Sequence, residues 1–252
     1  MTSEADAHTD QPSLEGKKVL ITGGTTGIGR AVAVLLASYG AHVFICGRDP
    51  QHLEDALQRI GEVGKGDGIA IDLADPDNVK RFFDAGVSAL GGIDVAVINA
   101  AIPAKGITKM SEQDLRYAIA VDFTAYLLSS HAAAEALKDH GDIIFVGSMS
   151  AHTLSAESSV YAGMKAGIQG FAEALRRELS PRNIKTCLIE PGKTGADFQY
   201  QQFTAEEQAE AIRKEEMLRA EDIAVAVHYV LTQPNRAIVQ QLTIAPREQP
   251  KE

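Results

Sequence analysis

The sequence predicts an α/β protein built on a doubly wound parallel sheet with helices on both faces. Short apolar runs alternate with helix-period segments along most of the 252 residues. Those runs are mostly continuous in Val, Ile and Leu rather than alternating, as strands covered on both faces should be. A βαβαβ rhythm extends over the whole chain with no internal repeat or low-complexity interruption, so right-handed crossovers place every strand's carboxyl end along one edge. The length is at the upper end of what one core serves, and the 45% of apolar residues is enough to build that core.

Residues 1–13, MTSEADAHTDQPS, are polar, acidic and aperiodic and read as a disordered tail. Residues 14–252 form the one domain. Strands are predicted at Val19–Thr22, Val43–Cys46, Ile69–Ile71, Val95–Ile98, Ile143–Val146 and Thr186–Ile189, with a last one near Ile238–Ile244. Helices are predicted at 27–39, 51–60, 76–90, 111–139, 158–179 and 221–232. In the last of these Ile223, Val227, Val230 and Leu231 share one face, and Pro234 ends the helix. The stretch 195–221 breaks the rhythm with Phe198, Tyr200 and Phe203, followed by a charged helix, TAEEQAEAIRKEEM. It is too short for its own core and reads as a lid over the active edge. Its aromatics either line an apolar substrate pocket or pack the helix against the body or a partner subunit. The charged run itself is most simply a solvated helix face.

Composition excludes several function classes. Lys+Arg total 24 against 34 Asp+Glu, a net charge of −10, which disfavours nucleic acid and anionic membranes as partners. Cys46 and Cys187 lie inside strand-like runs and indicate no disulfide framework. Neither a signal peptide nor a membrane-length apolar run is present, so a cytoplasmic location is expected. The seven histidines are scattered, with no cluster of metal-ligand spacing. His152, just past Ser148, faces either substrate or solvent.

The first strand enters Thr22-Gly23-Gly24-Thr25-Thr26-Gly27-Ile28-Gly29, and a helical stripe follows. Between a strand and a helix, glycines let the backbone turn sharply and approach a pyrophosphate, which then meets the free N–H groups and positive dipole end of the helix. The spacing is G-x-x-x-G-x-G, and its strand–loop–helix context distinguishes it from a chance Gly-rich loop. At the end of the second strand an NAD-selective site wants a carboxylate for the ribose 2′-hydroxyl. Here Gly47 takes that place and Arg48 follows, a guanidinium suited to a 2′-phosphate unless it is merely a solvated charge. Asp49 is the competing NAD acid, although its place before Pro50 fits a helix N-cap better. NADP(H) is therefore the expected cofactor, with NAD(H) the alternative. Asp72 and the adjoining Leu73 suit the adenine end, and Asn99 with Ala100 ends the fourth strand, although Asp and Asn at such places also serve as turn-forming caps.

At the other end of the cleft Ser148 closes the fifth strand, and thirteen residues later come Tyr161 and Lys165 on one helix face. Hydride transfer to a carbonyl carbon leaves a developing alkoxide that needs a proton. A tyrosine, with a pKa of about 10, serves near neutrality only if positive charge stabilises its phenolate, which Lys165 supplies. Ser148 would hold the carbonyl oxygen beside Tyr161. The Tyr-x-x-x-Lys spacing alone is weak; with the strand-end Ser and the upstream glycine loop it is strong.

These residues resemble the short-chain dehydrogenase/reductase family, from about Gly16 to Pro246. The family's TGxxxGxG loop falls on Thr22 to Gly29, and its Ser, Tyr and Lys fall on Ser148, Tyr161 and Lys165. Its Pro-Gly falls on Pro191-Gly192, where the backbone holds the nicotinamide, with Thr194 beyond. The resemblance implies a Rossmann fold, a small-molecule carbonyl or alcohol substrate, a homodimer or homotetramer, and no metal. Three departures stand out. Ala101 replaces the Gly of the family's Asn-Ala-Gly, Asp122 replaces the fourth catalytic residue, an Asn, and Ala196 replaces a Thr after the Pro-Gly. Asp122 would keep that Asn's backbone role in kinking the helix while its charge disturbs the proton relay. The C-terminal IVQQLTIAPREQ lacks the Asp-Gly-Gly ending of acyl-carrier-protein reductases and is more similar to the NADP-dependent 3-hydroxy-acid and aldehyde reductases. The expected function is thus NADP(H)-dependent interconversion of a carbonyl and an alcohol. A dinucleotide-binding regulatory or structural subunit is the alternative that Asp122 and Ala101 motivate. An epimerase or dehydratase would need an added substrate domain that this length scarcely accommodates.

Overall fold

The computed structural model of the protein describes residues 11–195 and 203–248. Strand β1 (Lys18–Ile21) leads through the glycine loop into α1 (Gly27–Ser38), and β2 (His42–Gly47) leads into α2 (Pro50–Gly61). Then come β3 (Lys65–Ala70), α3 (Pro76–Leu90), β4 (Val95–Ile98) and α4 (Glu112–Ile119). A π-helical segment, Ala120–Thr124, joins α4 to α5 (Ala125–Leu137). The second half holds β5 (Gly141–Val146), the single turn α6 (Ser150–Thr153), α7 (Ser159–Leu179) and β6 (Ile184–Pro191). After these lie β7 (Thr194–Gly195), α8 (Ala205–Arg213), β8 (Leu218–Arg219), α9 (Ala220–Leu231) and β9 (Gln241–Ile244).

Seven strands pair in the order β3-β2-β1-β4-β5-β6-β9, and every pairing is parallel. The strand order reverses between β1 and β4, which opens a crevice at their carboxyl ends. Side chains alternate across the sheet. Val19 and Ile21 of β1 point into a core shared with Val32 and Leu36 of α1 and Val227 of α9. Leu20, between them, points into the opposite core with Phe82 of α3, Tyr126 of α5 and Ile168 of α7. Each such aliphatic or aromatic side chain contributes about 1.5–3 kcal/mol on burial, so both faces are committed to packing. The sheet edge at the strands' carboxyl ends lies outside both packed faces.

Local chemistry sets the element boundaries. Asp49 caps α2, its Oδ1 accepting from the backbone N–H groups of Gln51 and His52, with Pro50 in the first helical turn. The carboxyl of Asp49 is held below its ordinary value chiefly by those two hydrogen bonds. Gly91, in the left-handed conformation, ends α3.

Four features depart from the sequence expectation. The third strand begins at Lys65 rather than Ile69, because its first half, Lys65-Gly66-Asp67-Gly68, is an exposed sheet edge with no apolar signal. The last strand begins at Gln241 rather than near Ile238. The helix expected over 111–139 is interrupted by the π-helical segment around Asp122. The two-residue strands β7 and β8 form a small separate parallel ladder that the pattern did not signal. The expected tail at 1–13 lies outside the described residues up to position 10, as do Ala196, Phe198 and Tyr200 within the expected lid.

Candidate active site

The glycine loop is shaped by contacts that only these residues permit. Gly23 and Gly27 adopt positive φ, +63° and +50°. At Gly29 a Cβ would lie 2.0 Å from the Gly23 carbonyl oxygen, so the loop folds onto the helix start only if that position has no side chain. The buried Thr22 hydroxyl accepts from the backbone N–H groups of Asn99 (2.9 Å) and Ala100 (3.1 Å). Asn99 returns its amide Nδ2 to the carbonyls of Thr22 (3.1 Å) and Gly23 (3.0 Å). The ends of β1 and β4 are thereby tied together at the point where the strand order reverses. Thr26, the N-cap of α1, makes no side-chain cap, and the first turn of the helix holds no acidic residue. The helix start is thus left uncapped and without a competing carboxylate, and Thr26 and Ile28 line the crevice, an arrangement that suits an anion.

The crevice is a continuous cleft of about 700 Å³ that runs from Arg48 and His52 at one end to Ser148 and Thr194 at the other. Of the residues expected from sequence, it is lined by Gly23, Thr25, Thr26, Ile28, Arg48, Asp72, Leu73, Asn99, Ala100, Ser148, Tyr161, Lys165, Pro191, Gly192 and Thr194. Gly27, Gly29 and Asp122 do not line it. The glycines act from behind the wall, and Asp122 sits deeper, in the π-helical segment. At the Arg48 end the guanidinium Nη1 donates to the Tyr117 hydroxyl (2.9 Å), which in turn donates to Asp72 Oδ2 (2.8 Å).

The opposite end is built on β5 and α7. Ser148 follows β5 and is buried, its Oγ accepting from the Ser150 N–H (3.1 Å). Tyr161 and Lys165 lie one turn apart on α7, whose buried stripe is Ala162, Met164, Lys165, Ile168, Ala172, Leu175 and Leu179. A lysine in that stripe needs partners. Nζ donates to the Tyr126 hydroxyl (3.2 Å) and the Val146 carbonyl (3.1 Å), and lies 5.5 Å from the centre of the Tyr161 ring. The Tyr126 hydroxyl donates to the same Val146 carbonyl (2.9 Å), and burial holds its pKa well above the ordinary value. Burial pulls the Lys165 ammonium down to about 8, and the Asp122 charge opposes that shift.

Asp122 is fully buried. Its Oδ1 accepts from the Ile102 N–H (2.8 Å), while Oδ2 has no hydrogen-bond partner among the described residues. Burial raises its pKa to about 7, against the lowering influence of Lys165 and the Ile102 N–H. A π-helical segment is thus present with Asp at this position, and it ties the loop after β4 to the helix. Ala101 lines the cleft with φ outside the positive region, so its backbone does not need glycine.

Two loops are tied together at the Ser148 end of the cleft. The Met149 N–H donates to the Pro191 carbonyl (3.0 Å) and the Gly192 N–H donates to Ile244 (2.7 Å). Thr194 Oγ1 donates to the Gly192 carbonyl (3.0 Å). Behind them Glu190, fully buried in β6, accepts from His152 Nε2 (3.1 and 3.0 Å), from Gln241 and from Thr243 Oγ1 (3.4 Å). His152 therefore turns toward Glu190 and does not line the cleft. Tyr117, Tyr126 and Glu190 were not anticipated, and of these only Glu190 carried a signal, as a charge inside an otherwise apolar strand.

No metal-holding group of His, Cys, Asp or Glu exists among the described residues, and no described helix is long and apolar enough to cross a membrane. A family model described as short chain dehydrogenase matches residues 17–207. The 3-oxoacyl-[acyl-carrier-protein] reductase of Vibrio cholerae is 31% identical over 189 residues, covering 74% of this chain and 77% of its own. A short-chain dehydrogenase of Burkholderia cenocepacia, solved in complex with NADP, superposes with a TM-score of 0.83 at 31% identity, covering 93% of this chain and 98% of its own. A short-chain type dehydrogenase/reductase of Mycobacterium marinum superposes with a TM-score of 0.82 at 30% identity, covering 93% and 96%. With its parallel sheet, glycine loop and Ser148–Tyr161–Lys165 cleft, the chain belongs to the short-chain dehydrogenase family and carries that family's Rossmann-type fold.

Proposed function

We propose that the protein interconverts a carbonyl and an alcohol with NADP(H) as hydride carrier. One observation carries the proposal: Ser148, Tyr161 and Lys165 line the same cleft as the glycine loop and Arg48. The residues present fit a dinucleotide. Unfilled helix N–H groups stand at the loop for the pyrophosphate, the Gly29 packing allows close backbone approach, and a guanidinium waits at the far end of the cleft. A relative of known structure was solved with NADP. Arg48 would hold the 2′-phosphate, Asp72 and Leu73 the adenine end, and Asn99, Ala100, Pro191, Gly192 and Thr194 the remainder.

When bound, the nicotinamide supplies or accepts the hydride at the carbonyl carbon. Tyr161 exchanges its phenolic proton with the substrate oxygen, and Ser148 donates a hydrogen bond to that oxygen and orients it. Lys165, still largely protonated near neutrality with a pKa of about 8, places its positive charge 5.5 Å from the Tyr161 ring centre. That charge stabilises the negative charge that develops on the phenol oxygen as its proton leaves. Tyr126 and the Val146 carbonyl take two of the three ammonium donors of Lys165, which itself lines the cleft, and leave one for a ligand. In this proposal the stretch 195–221, of which 196–202 lie outside the described residues, serves as the lid, and the protein works as a cytoplasmic homodimer or homotetramer.

Cofactor oxidation followed over a panel of aldehydes, ketones, 3-oxo acids and 3-oxoacyl thioesters, with NADPH and with NADH, tests the proposal. Turnover of at least one carbonyl, faster with NADPH, is expected. Binding of NADPH with no turnover on any of them would favour a second reading, a regulatory or structural subunit. The buried carboxyl of Asp122, one oxygen of which has no partner among the described residues, is the observation on its side, and recovery of turnover in Asp122→Asn would support it.

A further inference from the structure

We propose that Tyr117 is a selectivity-determining residue, holding the Arg48 guanidinium ready for the 2′-phosphate of the dinucleotide. The proposal rests on the NADP(H) reading above and names a residue of that site which the glycine loop and strand-end motifs do not include.

The exposed Arg48 stands beside Asp49 in sequence, but that carboxylate is engaged in capping α2 through the N–H groups of Gln51 and His52. The single hydrogen bond of the Arg48 guanidinium among the described residues goes instead to a neutral phenol, Tyr117, at 2.9 Å, with the guanidinium 5.9 Å from the centre of the same ring. A guanidinium held by a phenol keeps its whole charge and four of its five N–H donors for an anion. Held by a carboxylate, it would be neutralised.

A second carboxylate, Asp72, lies on the far side of Tyr117, which bonds to both groups and so stands between them. The Tyr117 hydroxyl donates a hydrogen bond to Asp72 Oδ2 at 2.8 Å, so the phenol oxygen presents its lone pairs to Arg48. The other carboxylate oxygen, Oδ1, accepts from the Ala74 N–H at 2.9 Å, which fixes the orientation of Asp72. Burial and the hydrogen bond to Asp72 raise the Tyr117 pKa above its ordinary value, so this hydroxyl keeps its proton across the neutral range. The half-buried Tyr117 thus anchors one edge of an otherwise mobile, solvent-exposed side chain and keeps it from an ion pair with Asp72. The entropy of ordering a long side chain is then spent before the cofactor arrives, and it is spent only in favour of a cofactor with a 2′-phosphate. The hydrogen bond between Tyr117 and Arg48 offers nothing to a cofactor that lacks that group.

Direct titration of NADPH and NADH, followed by the cofactor's own fluorescence because the chain has no Trp, tests this in the wild type, Arg48→Ala and Tyr117→Phe. In Tyr117→Phe the NADPH Kd is expected to rise about tenfold while the NADH Kd stays within about twofold, the size of one lost charge-assisted hydrogen bond. Arg48→Ala is expected to bring the two dissociation constants together. If Arg48→Ala does so while Tyr117→Phe leaves NADPH binding unchanged or tighter, the role of Tyr117 is overturned and the NADP(H) reading stands. An equal loss of NADPH and NADH binding in Tyr117→Phe also overturns it, since a general packing role would do that. If Arg48→Ala leaves the selectivity intact, the parent reading fails and takes this inference with it.

Discussion

The ammonium of Lys165 and the hydroxyl of Tyr126 both donate to the Val146 carbonyl, at 3.1 and 2.9 Å, and Lys165 also donates to Tyr126 itself at 3.2 Å. This closed triangle sets where the positive charge sits relative to Tyr161. In Tyr126→Phe the ammonium loses an acceptor in a fully buried place. Turnover is expected to fall about tenfold, the basic limb of the kcat profile to move, and the cofactor Kd to stay within about twofold. Steady-state kinetics across pH, set beside a binding titration, checks this.

Asp122 makes stability depend on pH in a definite direction. Folding lifts its carboxyl from 3.8 to about 7, so the folded chain holds that proton more tightly than the unfolded one. The resulting stabilisation is complete below pH 3.8 and is lost as the pH rises through about 7. Asp122→Asn removes that slope. The variant's Tm relative to the wild type is expected to climb between pH 5 and pH 7, by about 4 °C or more for a chain of this size. Thermal melts at both pH values suffice, and a constant difference contradicts the assignment.

The pair His152 and Glu190 joins the segment after Ser148 to the strand that ends in Pro191. Glu190 is fully buried, while the His152 side chain is 45% exposed. Removing the imidazole in His152→Ala leaves the carboxylate with Gln241 and Thr243 alone, a loss of roughly 1–3 kcal/mol. A lower denaturation midpoint is expected, together with turnover reduced about threefold and unchanged cofactor affinity, because the loss falls on the loop that carries Ser148. Paired urea melts and kinetics measure both.

Gly29→Ala tests the glycine loop without touching the chemistry. The added methyl would meet the Gly23 carbonyl oxygen at 2.0 Å and the Asn99 amide at 2.6 Å, and the first of these is backbone that cannot step aside alone. NADPH binding is expected to weaken by at least about tenfold, because the loop must open to relieve the overlap. Gly163→Ala, at a position with nothing within 4 Å of the added carbon, is expected to bind normally.

Much of the fold is written locally. Central strands such as Val95–Ile98 are apolar at every position because both faces are covered, and the glycine loop announces itself between a strand and a helix. The edge strand β3 was half hidden, since Lys65-Gly66-Asp67-Gly68 has neither apolar content nor alternation. Its glycines answer instead to Ile60 of α2 and to Ile45 and Val43 of β2, which a Cβ would strike. Asp122 was visible as an odd residue, but the unpartnered oxygen depends on what the fold stacks around it.

The site divides the same way. Ser148, Tyr161 and Lys165 are legible from a strand end and a helical spacing, and Lys165 shows a further trace as a charge inside a core stripe. Tyr117 and Tyr126 are not legible, because each gains its role from partners far along the chain. Tyr117 meets Arg48 from 69 residues away and Asp72 from 45, and Tyr126 meets Lys165 from 39. His152 read as a loop residue facing substrate or solvent. The partner it has, Glu190, lies 38 residues on in a neighbouring strand.

The most direct measurement is turnover and NADPH affinity in Tyr161→Phe, made on whichever carbonyl the wild type reduces. If the phenol exchanges the proton, kcat falls by about 100-fold or more while the NADPH Kd stays within about twofold. A variant that retains most of the wild-type turnover would show that the proton comes from another group, and the assignment of Tyr161, Lys165 and Ser148 would be wrong.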